Sequence, residues 1–123
     1  MGLNMEEGLI ARKSMAFAVR IVKVARYLKK EKREYELVSQ LLRSGTSIGA
    51  NISESKYAES DRDFVSKLKI ALKEANETKY WLRVLLLTET LSDKEAGSLT
   101  NDADEIIVIL TSIINTKKAN MKK

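Results

Sequence analysis

Three polar side chains on one predicted helix, Arg43, Asn51 and Glu54, have a spacing that could support chemistry. Eight residues separate Arg43 from Asn51 and three separate Asn51 from Glu54, so they share roughly one side of the helix. One interpretation is a polar pocket that recognises a ligand. The other is a buried network that sets the helix register, with Arg43 paired to a carboxylate such as Glu74 or Glu77 on the next helix. We expect the structural network.

Small residues surround these polar side chains. A glycine-rich segment can be a phosphate-binding loop, but no Gly-Lys-Ser/Thr follows this one. Each glycine inside a helix costs about 1 kcal/mol relative to alanine, so a helix tolerates them where another backbone approaches closely. We therefore expect close helix packing here. The small residues are Ser44, Gly45, Ser47, Gly49, Ala50 and Ser53.

The composition excludes most catalytic and metal chemistry. The 123 residues include no histidine and no cysteine, which removes histidine triads, disulfides and the usual zinc and iron sites. No nucleophile–base pair is evident among the remaining residue types. We expect a protein that is not an enzyme and that uses no metal or cofactor. The lack of cysteine fits a reducing cytoplasm, and no apolar run approaches the roughly 18 residues of a membrane span. We therefore predict a cytoplasmic protein without a membrane segment.

Positive charge is concentrated at the two ends of the sequence. The net charge is +5, with +6 over residues 1–33, +4 over residues 117–123 and −5 between them. Several cations of the first predicted helix share one face, and such faces bind phosphate backbones by releasing counterions. The alternative is a merely solvated helix face. The candidate nucleic-acid-binding residues are Lys13, Arg20, Lys23, Arg26, Lys30 and Arg33.

Hydrophobic periodicity predicts four helices and one domain spanning residues 1–123. The chain has no proline, which favours long uninterrupted helices. Ser60 and Ser92 each precede an acidic residue by three positions, as in capping boxes that open helices. Long helices with short links predict an all-α, antiparallel up-down-up-down four-helix bundle. The predicted helices cover about residues 6–30, 35–57, 61–90 and 93–117, followed by a basic tail at 117–123.

Two segments, Val84–Leu87 and Ile106–Leu110, are apolar on every face of a helix. Ile106–Leu110 alone could form a strand, but no hairpin signal or partner strand accompanies it. A helix that is apolar all round is buried all round, so we expect a second surface that meets another subunit. The alternative is a bundle core with wide apolar stripes. The predicted interface residues are Tyr80, Trp81, Leu86 and Ile109. For the two aromatic residues, the alternative is that they stack on nucleic-acid bases.

A specific pattern in the second and third helices resembles a known family. The pattern consists of Gln40-Leu41, Arg43-Ser44, Ser47-Ile48, Ala50-Asn51-Ile52, Glu54, Ser60, Phe64, Leu68, Ile70-Ala71, Glu74, Glu77 and Leu82. It resembles the four-helix bundle family encoded within intervening sequences of bacterial 23S ribosomal RNA genes, which is often labelled a ribosomal protein. The chain departs from the family at Ser55, usually glycine, and at Lys73-Glu74-Ala75, where many members have a Gly-Ser pair.

The resemblance implies a closed up-and-down bundle that assembles into a ring, commonly a pentamer. The chain is also similar to the accessory variability protein of diversity-generating retroelements, a basic pentameric bundle that works with a reverse transcriptase and nucleic acid. A ring would repeat every basic face, so the fields of its subunits would add.

Two functional hypotheses remain open at this point. The first is a non-catalytic homo-oligomer that binds structured RNA or DNA through the basic faces of helix one. The alternative is a protein–protein adaptor or accessory subunit that binds a partner protein through its apolar surfaces and has no direct contact with nucleic acid.

Overall fold

The structure, a computed structural model, describes residues 5–122, which form four α-helices and no strand. The all-α prediction is confirmed, and Ile106–Leu110 lies within a helix. None of the helices in the described range combines the length and apolarity needed to cross a membrane. The helices are α1 (Met5–Glu31), α2 (Glu36–Ser55), α3 (Asp61–Leu87) and α4 (Asp93–Met121).

Local chemistry sets the starts of α3 and α4. The Oγ of Ser60 accepts a hydrogen bond from the backbone N–H of Asp63 at 3.0 Å, and the Oγ of Ser92 accepts one from the N–H of Glu95 at 3.1 Å. Each serine thereby satisfies one of the backbone donors that a helix start leaves unpaired. Ser60 and Ser92 are therefore confirmed as the N-cap residues of α3 and α4, whereas the carboxylates of Asp63 and Glu95 accept hydrogen bonds from Glu59 N–H and Ser92 Oγ rather than from the backbone N–H of the capping serine.

The ends of the helices differ more from the sequence-based boundaries. α3 stops at Leu87, and Glu89 takes a left-handed backbone conformation with φ of 60°. α4 continues to Met121, so most of the predicted basic tail (117–123) is helical and Lys123 lies outside the described residues. The tail is therefore an extension of α4, because no proline or glycine interrupts the helix after residue 117.

Each helix buries one apolar stripe in a shared core. α1 packs against α2 and α4, and α3 packs against α2 and α4. Two ion pairs join α1 to α4: Lys13 contacts Glu105, and Arg20 contacts Asp102. The largest fully buried side chains include Phe17, Ile21, Leu28, Leu41, Ile48, Leu68, Leu82, Leu85, Ile106 and Leu110.

The small residues of α2 allow α1 to approach closely, as the sequence predicted. A Cβ placed on Gly45 would lie 2.8 Å from Cγ2 of Ile21, and one placed on Gly49 would lie 3.4 Å from the carbonyl oxygen of Ser14. Both glycines lie within continuous helix, so the phosphate-loop alternative is wrong. Ser44 is fully buried beside α3, where its Oγ lies 3.0 Å from Oγ1 of Thr78.

The two all-round apolar segments are mostly used within the bundle itself. Leu86 and Ile109, which the sequence assigned to a subunit interface, are partly buried against the core of their own chain. The mainly exposed residues are Leu87, with 67% of its surface accessible, and Val108, with 68%. Wide core stripes therefore account for most of both segments, and only one strongly exposed apolar side chain remains in each.

Candidate nucleic-acid interface

The outward side of α1 carries a row of free cations. α1 buries Phe17 and Ile21, and the residues facing away from that stripe include Lys23, Arg26 and Lys30, which we call the basic row. All three are exposed, and none of their side chains forms a hydrogen bond or ion pair with another residue in the range 5–122. Their charge is therefore available to an external anion.

Arg12 extends this surface toward the start of α1. It lies eleven residues before Lys23, which is close to three helical turns, and it is also exposed and free of ion pairs among the described residues. Sequence reasoning missed it, although the same periodicity would have found it. Met15 and Val19, which are 66% and 45% exposed, lie between the two cations.

Two of the predicted nucleic-acid-binding residues are instead engaged by α4. Lys13 Nζ lies 2.7 Å from Glu105 Oε2, and Arg20 Nη1 lies 2.5 Å from Asp102 Oδ2. Arg20 Nη2 also donates a hydrogen bond to Ser98 Oγ at 3.1 Å. These contacts join α1 to α4 and neutralise both cations within the chain. A phosphate would have to compete with carboxylates for them.

The remaining predicted cation, Arg33, lies in the link between α1 and α2. It is exposed and takes a left-handed conformation with φ of 54°, which turns the chain after α1 ends. Its guanidinium has no ion-pair partner within residues 5–122. Arg33 therefore adds free positive charge at the end of α1 that carries Lys30.

The structure does not bring the two basic segments together. Lys117 of α4 lies 3.3 Å from Asp61 Oδ1, at the start of α3, and its Nζ is 5.0 Å from the ring centre of Phe64. Arg20 contacts Ser98 in the first part of α4. The basic row therefore lies toward the start of α4, whereas Lys117 lies toward its end. A single chain therefore presents two separate basic regions.

Arg43 lies against the two carboxylates of α3 that the sequence had singled out. Its Nη1 is 3.2 Å from Glu74 Oε2, and its Nη2 forms a close ion pair with Glu77. Trp81 Nε1 donates a hydrogen bond to the same Glu77 oxygen at 3.0 Å. The expectation of a buried network is wrong in one respect: 47% of the Arg43 side chain is exposed, so this cluster lies at the surface of the α2–α3 seam.

Asn51 and Glu54 do not join the Arg43 cluster. Asn51 Nδ2 donates to the carbonyl oxygen of Ser47 in its own helix at 2.9 Å, and Glu54 pairs with Lys67 at 3.8 Å. Asn51 lies about 12 Å along the helix axis from Arg43, at about 1.5 Å per residue, so one α3 partner cannot reach both. The prediction that the three side chains act as a unit is therefore wrong.

Removing the Arg43 charge tests whether its ion pairs with Glu74 and Glu77 lie at the surface. We expect Arg43→Met to lower the free energy of unfolding by no more than about 1 kcal/mol, because half-exposed ion pairs are well screened. Urea denaturation should show a smaller difference from the wild type at high salt. Lys67→Met, which breaks the Glu54 pair, is the matched control. A loss of about 3 kcal/mol or more would instead indicate a buried charge left unpaired.

Tyr80 and Trp81 occupy different environments although they are adjacent. Tyr80 is 61% exposed, whereas Trp81 is partly buried against the core. Their rings meet edge to face, with centroids 5.1 Å apart and an interplanar angle of 77°. The indole N–H of Trp81 donates a hydrogen bond to Glu77, which holds the Trp81 ring beside the contact between α2 and α3. Tyr80 is the freer of the two for an external contact.

The described residues contain no group of three or more acidic side chains placed to hold a metal ion. Two open grooves flank α1. One, of about 330 Å³, lies between α1 and α2 and is lined mainly by small residues around Gly49. The other, of about 300 Å³, lies between α1 and α4 and includes Lys23 and Tyr27. The second groove therefore adjoins the basic row.

Comparisons with known proteins agree on one family. The family model described as 23S rRNA-intervening sequence protein matches residues 6–112. A solved structure, a protein of unknown function from the S23 ribosomal protein family of Bacteroides thetaiotaomicron VPI-5482, is 50% identical, with a TM-score of 0.89 over 90% of this chain and 99% of that one. Among curated proteins, none matches this chain. Because the family model matches most of its length, the chain belongs to the 23S rRNA-intervening sequence protein family.

Proposed function

We propose that this protein is a non-catalytic, self-assembling four-helix bundle that binds structured RNA or DNA through the basic row of α1. The observation that carries the proposal is the state of Lys23, Arg26 and Lys30. They are exposed, they repeat at helical spacing, and no described residue neutralises them. Free cations at such spacing release counterions when they meet a phosphate backbone, which drives binding.

The family supports this proposal by association. Its name refers to sequences that interrupt 23S rRNA, and the similar protein of known structure carries a ribosomal-protein family label. Ribosomal RNA is a structured polyanion, so a basic surface is the chemistry expected of a protein that works beside it. Fold and family do not by themselves define an activity, so the free cations remain the main argument.

The proposed bundle is antiparallel, up-down-up-down, and assembles with itself into a ring. Two ion pairs between α2 and α3 support the antiparallel arrangement. Arg43 contacts Glu74, whereas Glu54, which is later in α2, contacts Lys67, which is earlier in α3. Support for assembly comes from exposed apolar side chains on two different sides, Met15 on α1 and Leu87 and Val108 on α3 and α4. Unlike patches favour head-to-tail contacts, which form a ring when the rotation between successive subunits closes. Five subunits is the number that the family resemblance suggests, and the cytoplasm is the proposed location.

The basic row provides the direct test. We expect the triple variant Lys23→Gln/Arg26→Gln/Lys30→Gln to bind structured RNA and duplex DNA about tenfold or more weakly at low salt, because three phosphate contacts are lost. The slope of log affinity against log salt concentration should fall by about three units. Fluorescence anisotropy with labelled oligonucleotides measures both quantities.

A matched control keeps the charge change constant. Arg62, Lys69 and Lys73 on α3 are also exposed and free of partners within the described range, so their triple glutamine variant alters net charge equally. It should retain most of the affinity. Equal losses in the two variants would show binding driven by net charge alone, and no binding by the wild type at low salt would refute the proposal.

The second candidate function is a protein–protein adaptor. The exposed side chain of Met15 beside the α1–α2 groove favours it, since flexible methionines often line adaptable binding surfaces. The basic-row variant separates the two candidates. An adaptor that captures a partner protein through this groove would keep its partner when Lys23, Arg26 and Lys30 are neutral.

A further inference from the structure

Tyr27 occupies an unusual position beside the basic row. Its side chain is 48% exposed, and no described residue forms a hydrogen bond with its hydroxyl. It lines the groove of about 300 Å³ between α1 and α4. The other lining residues are Arg20, Lys23, Val24, Glu95 and Leu99. An aromatic ring that is free on one side is thus held at the edge of an open cleft.

Free cations lie on both sides of this ring along the helix. Lys23 precedes Tyr27 by four residues and Lys30 follows it by three, so both are its surface neighbours. Neither lysine has an ion-pair partner in residues 5–122. The surface therefore alternates cation, aromatic ring, cation over roughly two helical turns.

We propose that Tyr27 is a stacking platform for an unpaired base, with the phosphates of the same single strand lying on Lys23 and Lys30. Proteins that bind single strands combine a cationic track with aromatic faces, because every base has a face that can stack. In a duplex the base faces are already stacked and cannot reach a side chain. The inference rests on the proposed function and narrows its ligand to nucleic acid with an unpaired segment.

The walls of the groove determine which part of the ligand enters it. Leu99 is buried and Val24 is partly buried, so the inner wall is apolar and suits a base. The carboxylate of Glu95, which accepts a hydrogen bond from Ser92 Oγ at 3.1 Å, lies on the α4 side and repels phosphate. The backbone of the strand would therefore follow the lysines while a base points toward α4.

Two of the other exposed aromatics, Tyr80 and Tyr57, lack this setting. Tyr80 meets Trp81 edge to face, close to the carboxylate of Glu77. Tyr57, although 83% exposed, follows α2 and so lies at the end of that helix remote from the link that carries Arg33. Tyr57 has the same side chain without the neighbouring basic row, which makes it the matched control.

The test compares Tyr27→Ala, Tyr27→Phe and Tyr57→Ala with the wild type. The probes are labelled single strands of RNA and of DNA of about 12 nucleotides, a duplex of the same sequence, and a single strand with abasic sites. We expect Tyr27→Ala to weaken single-strand binding by about five- to a hundredfold, the range expected for one lost stack, and Tyr27→Phe to stay within about twofold of the wild type. Affinity for the duplex and the abasic strand should be the same in wild type and Tyr27→Ala, and Tyr57→Ala should resemble the wild type throughout.

Several results would overturn the stacking role. They are an equal loss for duplex and single strand, a loss in Tyr27→Phe as large as in Tyr27→Ala, and a loss for RNA with none for DNA, which would indicate a contact with the 2′-hydroxyl. Thermal unfolding checks that each variant remains folded. If the basic-row variant loses affinity while Tyr27→Ala retains it, only the stacking inference fails. If the wild type binds no probe, the proposed function fails as well.

Discussion

Gly45→Ala is expected to destabilise the protein by about 1–3 kcal/mol, although alanine is the better helix former by about 1 kcal/mol. The added methyl group would lie 2.8 Å from Cγ2 and 2.9 Å from Cγ1 of Ile21. Ile21 is completely buried, and its β-branched side chain has few rotamers, so it cannot move aside at low cost. The overlap at the α1–α2 contact should outweigh the helix propensity. Urea denaturation monitored by circular dichroism measures the difference.

Gly97→Ala is the matched control for this prediction. Gly97 is also helical, but it is exposed and no atom lies within 4 Å of the position that its Cβ would take. There the same substitution should stabilise the protein by up to about 1 kcal/mol. The two glycines should thus respond with opposite signs, because only one of them faces another helix.

A double-mutant cycle identifies the contact responsible. In an Ile21→Ala background, which removes both γ-carbons, Gly45→Ala should become neutral or stabilising. If Gly45→Ala stabilised the wild-type protein, or remained equally destabilising without the Ile21 side chain, the close approach of α1 and α2 at this point would be contradicted.

The second large effect concerns assembly. Leu87→Lys/Val108→Lys is expected to shift the protein from an oligomer to a 13.9 kDa monomer with its helical content unchanged. Both side chains are more than two-thirds exposed in the single chain, so a lysine at either position remains solvated there but would be buried in a subunit contact. Analytical ultracentrifugation and far-ultraviolet circular dichroism measure the two properties.

The control pair distinguishes a subunit contact from the core. Leu86→Lys/Ile109→Lys places the same charges at positions that are partly buried within the bundle. We expect that variant to unfold or to lose several kcal/mol of stability, on the order of the cost of burying unpaired charges. A wild-type protein that sediments as a monomer at micromolar concentration would refute the assembly proposal.

The same variant connects assembly to nucleic-acid binding. Leu87→Lys/Val108→Lys adds two positive charges to each chain, which alone would strengthen binding to a polyanion. If the proposed ring sums the basic rows of its subunits, the monomeric variant should nevertheless bind RNA more weakly than the wild type. An affinity that rises with the added charge would show that one chain suffices.

The sequence by itself determined the helices and where two of them begin. Apolar residues at intervals of three and four specify α1 to α4, and the serines before α3 and α4 cap them in place. The small residues of α2 also indicated a close helix contact in advance. These properties depend on residues that are close together in the sequence, so they can be predicted without knowing the tertiary structure.

Only the tertiary structure decided which cations are free and which apolar residues are exposed. Lys13 and Arg20 have the same helical spacing as the basic row, yet carboxylates of α4 more than 80 residues away neutralise them. Leu86 and Leu87 are adjacent leucines, but one packs against the core and the other is exposed. Periodicity defines a helix face without defining what lies opposite it. Which residue of a neighbouring helix contacts a given side chain depends on how the helices pack and on their relative rotation, and both are properties of the assembled core.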